Sequence, residues 1–139
     1  MPSFNTLNIL LVEDDQDDVE LMQDALHDNG VDFHMDVVRQ GDRVLSFLDA
    51  CKKFPNIVLL DLNLPKMHGR EVLSRIKLSS EFKHIPVVIL TTSSSASERE
   101  FCLSAGATDF LTKPSTVEGF NQTIQTIKKI ALKDQQDKG

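Results

Sequence analysis

Four places in the chain put a chemically capable residue directly after a short apolar run. Glu13, Asp14 and Asp15 follow Leu7 to Val12; Asp61 closes Asn56 to Asp61; Thr91 and Thr92 end Ile85 to Thr91; Lys113 and Pro114 follow Thr108 to Thr112. Should the first and third runs be neighbours, two or three carboxylates converge in one small crevice. At roughly 4 Å and an effective dielectric near 20, each like-charge pair costs about 4 kcal/mol. Such a cluster needs a cation. An oxygen donor set without His or Cys favours Mg²⁺, which keeps several waters and takes one or two carboxylates plus a phosphate oxygen. Lys113 adds a point charge suited to a phosphoryl oxygen, and the Thr91 hydroxyl offers a donor. Asp61, emerging from Ile57-Val58-Leu59-Leu60, is the best-placed nucleophile. Carboxylates attack phosphorus to give aspartyl phosphates, and a metal with a lysine carries the transition-state charge.

Taken singly, each of these residues has an ordinary structural use. Acids after a strand cap the next helix, Asp61 could be a turn residue before Pro65, and Lys113 could be a surface lysine. The functional reading rests on coincidence: acids, hydroxyl and amine each fall just past a different run. Asp17, Asp18, Asp24 and Asp28 lie inside a helical pattern and read as solvated surface with a secondary use in partner recognition.

Positioning these groups requires strands that end at one pole. Short apolar runs alternate five times with segments of helical period. Leu7 to Val12 reads as the first strand, and Asp15 to Asn29 carries Val19, Met22, Ala25 and Leu26 at helical spacing before Gly30. Phe33 to Val38 is a weaker strand, followed by a helix with Asp42 as its candidate N-cap and Val44, Leu45 and Leu48 on one face. Asn56 to Asp61 is the third strand, and Val72, Leu73 and Ile76 mark the third helix. Ile85 to Thr91 is apolar and β-branched without alternation, as parallel strands covered on both faces are. Thr92 to Ser97 is a loop opening a fourth helix that ends near Ala105-Gly106. Thr108 to Thr112 is the fifth strand, and Ser115 is the candidate cap of a last helix with Val117, Phe120, Ile124, Ile127 and Ala131 inside. Five such alternations imply a doubly wound α/β domain, a parallel sheet with right-handed crossovers. Such sheets bind ligands at the carboxyl ends of their strands.

Composition excludes several classes. The 139 residues suit one domain, and 40% apolar with 26% charged residues is ordinary for a globular protein. Eight Phe without Trp or Tyr offer few stacking platforms. The net charge of −6 divides unevenly: residues 1 to 38 hold ten acids and no Lys or Arg, and the remainder holds eleven acids against fifteen bases. An acidic first segment argues against nucleic acid, whose binding rests on phosphate neutralisation. No apolar run exceeds four residues, far below the ~20 of a membrane helix, and MPSFNTLN lacks the features of a secretory signal. Cys51 and Cys102 read as free thiols of a reducing cytosol, without the paired ligands zinc needs.

ILLVEDD (9 to 15), IVLLDLNLPKMHG (57 to 69), PVVILTTS (86 to 93) and AGATDFLTKP (105 to 114) resemble, in order and spacing, the response-regulator receiver domain of two-component signalling. The resemblance covers residues 7 to 132. DLNLPK, GREVL and IPVVILTTS are most similar to stand-alone receivers of the cyanobacterial phytochrome response-regulator type. The resemblance implies a flavodoxin-like (βα)5 fold with strand order 2-1-3-4-5. It implies that Asp61 is the phosphoacceptor and that Mg²⁺ is held by Glu13, Asp14, Asp61 and the backbone carbonyl of Asn63. By the same resemblance Thr91 is the switch hydroxyl, Phe110 the aromatic switch, and Lys113 the active-site lysine before a usually cis proline, Pro114. The implied phosphoryl donor is a sensor histidine kinase or a histidine phosphotransfer protein, in the cytoplasm. Such a chain is no enzyme toward other substrates; it catalyses only its own phosphorylation and slow dephosphorylation.

The expected organisation is a receiver over 1–132, a short polar tail over 133–139 and no output domain. Output would then pass through a downstream protein, phosphoryl relay or dimerisation by the fourth helix, fifth strand and fifth helix. Three positions depart from the common pattern, one being Phe110, which lacks the tyrosine hydroxyl and leaves burial as the switching force. His68 stands where Asp, Asn or Ser is frequent and reads as a surface histidine. Thr92 stands where a smaller residue is usual and would restrict access to Asp61. A haloacid-dehalogenase-type phosphatase would need a second Asp where Asn63 stands. A flavin or nucleotide module would need a Gly- or Ser/Thr-rich phosphate loop where Glu13-Asp14-Asp15 stands.

Overall fold

The computed structural model describes residues 6–92 and 95–137, with side chains to residue 133. Five parallel strands, β1 (Leu7–Val12), β2 (Phe33–Val38), β3 (Ile57–Leu60), β4 (Val87–Thr91) and β5 (Asp109–Thr112), form one sheet in the order β2-β1-β3-β4-β5. Helices α1 (Gln16–Asp28), α2 (Val44–Ala50), α3 (Gly69–Leu78) and α4 (Ala96–Ser104) return the chain to the start of the next strand, and α5 (Val117–Asp137) follows β5. This is the doubly wound arrangement and the strand order expected from the sequence.

Alternation along the strands sorts the core into two layers. Leu7, Ile9 and Leu11 of β1 face Val19, Met22 and Leu26 of α1 and Ile124, Ile127 and Ala131 of α5. Leu10 and Val12 face the opposite way, joining Val44 and Leu48 of α2, Val72, Leu73 and Ile76 of α3, and Cys102 of α4. Both faces of β1, β3 and β4 are therefore covered, which is why these strands read as continuous apolar runs. β2 lies at an edge, and its outer positions His34 and Asp36 are exposed. Both cysteines are free, with Cys102 buried and Cys51 partly buried.

Several local expectations change. Asp42 is not a helix cap: it sits within a 3₁₀ turn, Gly41–Arg43, that leads into α2. Gly41, the first residue of that turn, lies so close to the Met67 carbonyl, 2.1 Å from an added Cβ, that only glycine fits there. At α5 the capping hydroxyl is Thr116, whose Oγ1 accepts from Gly119 N at 3.0 Å, rather than Ser115. Val117 is 79% exposed because it is the first residue of α5 and precedes the stripe that meets the sheet. The expected tail is helical as far as Asp137, since no breaker interrupts Lys133-Asp134-Gln135-Gln136-Asp137. Residues 1–5, Ser93 and Ser94 of the expected loop, and the last two positions of the tail lie outside the described residues.

No described peptide bond is cis. Lys113–Pro114 is thus trans, the isomer X–Pro bonds favour by about 0.5–1 kcal/mol, and not the cis bond the resemblance implies. Among the described residues no helix is long and apolar enough to cross a membrane.

Candidate functional site

The carboxyl ends of β1, β3, β4 and β5 bring together the residues singled out in the sequence. Glu13 is placed by ladder continuation, its N–H donating to Val38 O at 3.0 Å, while Asp61 N donates to Val12 O at 3.1 Å. The first bond holds the end of β1 against β2, and the second holds the end of β3 beside β1. One ligand atom from each of Glu13, Asp14 and Asp61 lies within 4.8 Å of the others. Glu13 and Asp61 are buried and Asp14 is exposed.

The oxygens are organised by short local bonds. Asp61 Oδ1 accepts from Asn63 N at 3.2 Å, and Glu13 Oε2 accepts from Asp15 N at 3.2 Å. Asp15 caps α1, its Oδ1 accepting from Asp17 N at 2.9 Å. Lys113 enters from β5, where its N–H donates to Thr91 O at 2.8 Å. Its ammonium lies 2.7 Å from Glu13 Oε1, 2.7 Å from Asp18 Oδ2 and 3.0 Å from Asp61 Oδ2. Thr91 is fully buried at the end of β4, and the neighbouring Thr92 is exposed.

Burial and charge set the protonation of this cluster. Burial pushes the Glu13 carboxyl up to about 7, and the Asp61 charge adds to the rise that Lys113 partly offsets. For Lys113, burial alone would lower the ammonium's value. Its hydrogen bonds to Asp18, Glu13 and Asp61 outweigh that and hold it above the ordinary lysine range. Three carboxylates crowded around so few cations are the arrangement a hard divalent ion relieves, and oxygen donors alone suit Mg²⁺.

Phe110 is buried, packed in the same core as Cys102, Ala107 and Ile89. Its carbonyl accepts from Arg99 Nη1 at 3.0 Å, which ties β5 to α4. His68 is exposed, as expected, and is also the N-cap of α3, with Nδ1 accepting from Arg70 N at 3.1 Å. Asn63 is exposed in the loop after β3.

The residue that sequence reading missed is Asp18, placed on a solvated face but found against Lys113. The available signal was directional. Side chains of a helix tilt toward its N-terminus, so the third residue of a helix that starts at a strand end reaches back over that end.

Residues 9–125 match the response regulator receiver domain family. The chain belongs to that family. Among curated relatives, this receiver is 36% identical over 129 residues to the response regulator Rcp1 of Synechocystis sp., covering 89% of this chain and 88% of that protein. The phosphorylated cyanobacterial phytochrome response regulator RcpA is a structural neighbour with a TM-score of 0.82 and 34% identity, covering 91% of this receiver and 94% of the other chain. The Mn²⁺-bound form of Rcp1 aligns with a TM-score of 0.77 and 36% identity, covering 87% and 91% of the two chains. This receiver is thus a response-regulator domain of two-component signalling, the class whose phosphoryl groups come from histidine kinases or histidine phosphotransfer proteins. Its likeness to phytochrome-paired receivers agrees with the wording of its DLNLPK and IPVVILTTS segments.

Proposed function

We propose that Asp61 accepts a phosphoryl group from a phosphohistidine in a Mg²⁺-dependent reaction, that the acyl phosphate then hydrolyses slowly, and that the charge switches a protein-binding surface. The observation that carries this reading is the placement of the Lys113 ammonium 3.0 Å from Asp61 Oδ2 beside the converging carboxylates of Glu13 and Asp14. Glu13, Asp14, Asp61 and the Asn63 carbonyl would hold the cation. When bound, the ion supplies positive charge to the phosphoryl oxygens during transfer.

The chain's own residues account for the rest. A carboxylate oxygen of Asp61 forms the new bond to phosphorus as the bond to the histidine nitrogen breaks, and the bonding pair leaves with the imidazole. Asp61 reacts as a carboxylate, so no proton need be removed from it. Lys113 moves one N–H to a phosphoryl oxygen and offsets the arriving charge. The Thr91 hydroxyl, on the adjacent strand end, donates to another. Phe110, already buried and with its own carbonyl bound by Arg99, couples the Thr91 hydroxyl to the face formed by α4, β5 and α5 and biases it. That face would engage a downstream protein or a second copy of the chain.

Mg²⁺ with beryllium fluoride, followed by NMR, tests the reading. Wild type should show Mg²⁺-dependent shifts spreading from Asp61 to Thr91 and Phe110, and Asp61→Asn should show none. No response in wild type, or an equal one in Asp61→Asn, would remove Asp61 from the role.

A further inference from the structure

The closest acceptor of the Lys113 ammonium is shared between the expected Glu13 and the unexpected Asp18, both at 2.7 Å, with Asp61 at 3.0 Å. An ammonium carries three N–H bonds, and these three carboxylates are enough to take all of them. Asp18 is the third residue of α1, where an acid ordinarily turns back to the N-cap N–H. That donor is already engaged: Asp15 N donates to Glu13 Oε2 at 3.2 Å. The Asp15 side chain also caps the helix by itself. Helix capping therefore does not explain where Asp18 points. Metal binding does not either, because the carboxylates that converge are Glu13, Asp14 and Asp61.

The three acceptors differ in what the reaction does to them. A cation draws on Glu13 and Asp61, and phosphorus takes an oxygen of Asp61. Asp18 stands outside both events and can keep its bond to the lysine throughout. Without it, a four-carbon stem would carry the ammonium through many rotamers at the moment its other two partners are claimed.

We propose that Asp18 is a positioning residue for phosphoryl transfer, holding the Lys113 ammonium from the α1 side so that one N–H stays aimed at the reacting oxygen on Asp61. The inference rests on the Asp61 reading given above. Its carboxylate does not touch the phosphoryl group; it acts through the lysine.

The test uses the full chain with Mg²⁺ and phosphoramidate. The P–N bond of this donor breaks, its electron pair leaves as ammonia, and phosphorus bonds to Asp61. Asp18→Ala should slow acyl-phosphate formation by about tenfold or more, while the Mg²⁺ dissociation constant stays within about twofold. Asp18→Asn keeps one oxygen acceptor and loses the charge, so it should recover part of the rate; it also serves if Asp18→Ala does not fold. In ¹⁵N-edited spectra the slowly exchanging Lys113 ammonium signal of wild type should broaden in Asp18→Ala, an effect that a merely structural role would not produce. Phosphorylation of Asp18→Ala at the wild-type rate, or Mg²⁺ affinity falling in step with the rate, would overturn the assignment while leaving Asp61 in place. A wild type that forms no Mg²⁺-dependent adduct would overturn the Asp61 reading and this inference together.

Discussion

The Arg70 guanidinium lies over the Phe101 ring, 4.3 Å from its centroid, and the same group donates to Glu98 Oε1 at 3.0 Å. Arg70 is the second residue of α3, next to the loop that follows Asp61, and both of its partners lie on α4. One side chain therefore ties the loop that follows Asp61 to the first helix of the expected signalling face. A cation–π contact at an exposed site contributes about 0.5–1 kcal/mol and a surface ion pair about 0.2–1 kcal/mol. A double-mutant cycle with Arg70→Ala and Phe101→Ala in urea should give a coupling of about 0.5–1 kcal/mol. Additive losses would show that the stacking has no energetic content. The Glu98 share should shrink between low salt and ~1 M salt, where charges are screened within about 3 Å.

Glycine at position 69 is required by contact. A Cβ there would sit 2.3 Å from the Asp61 carbonyl oxygen and 2.6 Å from Leu62 Cα, both backbone atoms that cannot rotate away. Gly69 N also donates to Leu62 O at 2.8 Å, holding the turn that returns from β3 to α3. Gly69→Ala should lower stability by roughly 1–3 kcal/mol, the usual cost of overpacking, and should displace Asp61. Chemical denaturation reads the first effect, and beryllium fluoride titration reads the second as weakened binding. Unchanged stability together with unchanged titration would show that the loop moves freely.

Lys77 performs a structural task that its charge would not suggest. Its ammonium donates to Lys83 O at 3.1 Å and Ile85 O at 2.6 Å, and burial lowers its value from the ordinary lysine range. The stem packs where Gly106, at φ +111°, leaves room, since an added Cβ would meet Lys77 Cγ at 3.0 Å. Lys77→Met keeps the apolar stem but leaves two carbonyls without this donor, so it should destabilise by about 1–3 kcal/mol. Urea unfolding measures this, and a loss below about 0.3 kcal/mol would mean water replaces the ammonium without cost.

Much of this was legible from the sequence because the strands are covered on both faces. Ile9 to Val12, Ile57 to Leu60 and Val87 to Leu90 are unbroken apolar runs, so the polar residue ending each run marked the strand end and hence the site. The misplaced features depend on contacts that periodicity does not encode. Asp42 looked like a cap because nothing in the local spacing marks the 3₁₀ turn that takes it in before α2 begins. Asp18 looked solvated because helical period assigns a face but not the bond to Lys113, 95 residues away. His68 carried a capping role through Nδ1, a use for which Ser, Thr, Asp and Asn are the familiar signals.

The Glu13 carboxyl, raised to about 7 mainly by burial, makes the metal-free receiver's stability depend on pH in a defined direction. A carboxyl whose value rises on folding binds its proton more tightly in the folded state. Between the ordinary value of 4.5 and about 7 the folded chain therefore holds more protons than the unfolded chain, and stability falls as pH rises. The contribution is full below about 4.5 and lost above about 7, with a slope of at most about 1.4 kcal/mol per pH unit. Mg²⁺ binds the deprotonated form, so its affinity should climb over the same window and level off above it. Thermal melts in EDTA at pH 5, 6, 7 and 8 should show Glu13→Gln gaining on wild type as pH rises, because the amide does not titrate. With saturating Mg²⁺ that divergence should change, since the cation selects the ionised carboxylate in wild type and meets only an amide in the variant. Parallel pH profiles for the two proteins in EDTA would show that Glu13 is not the titrating group.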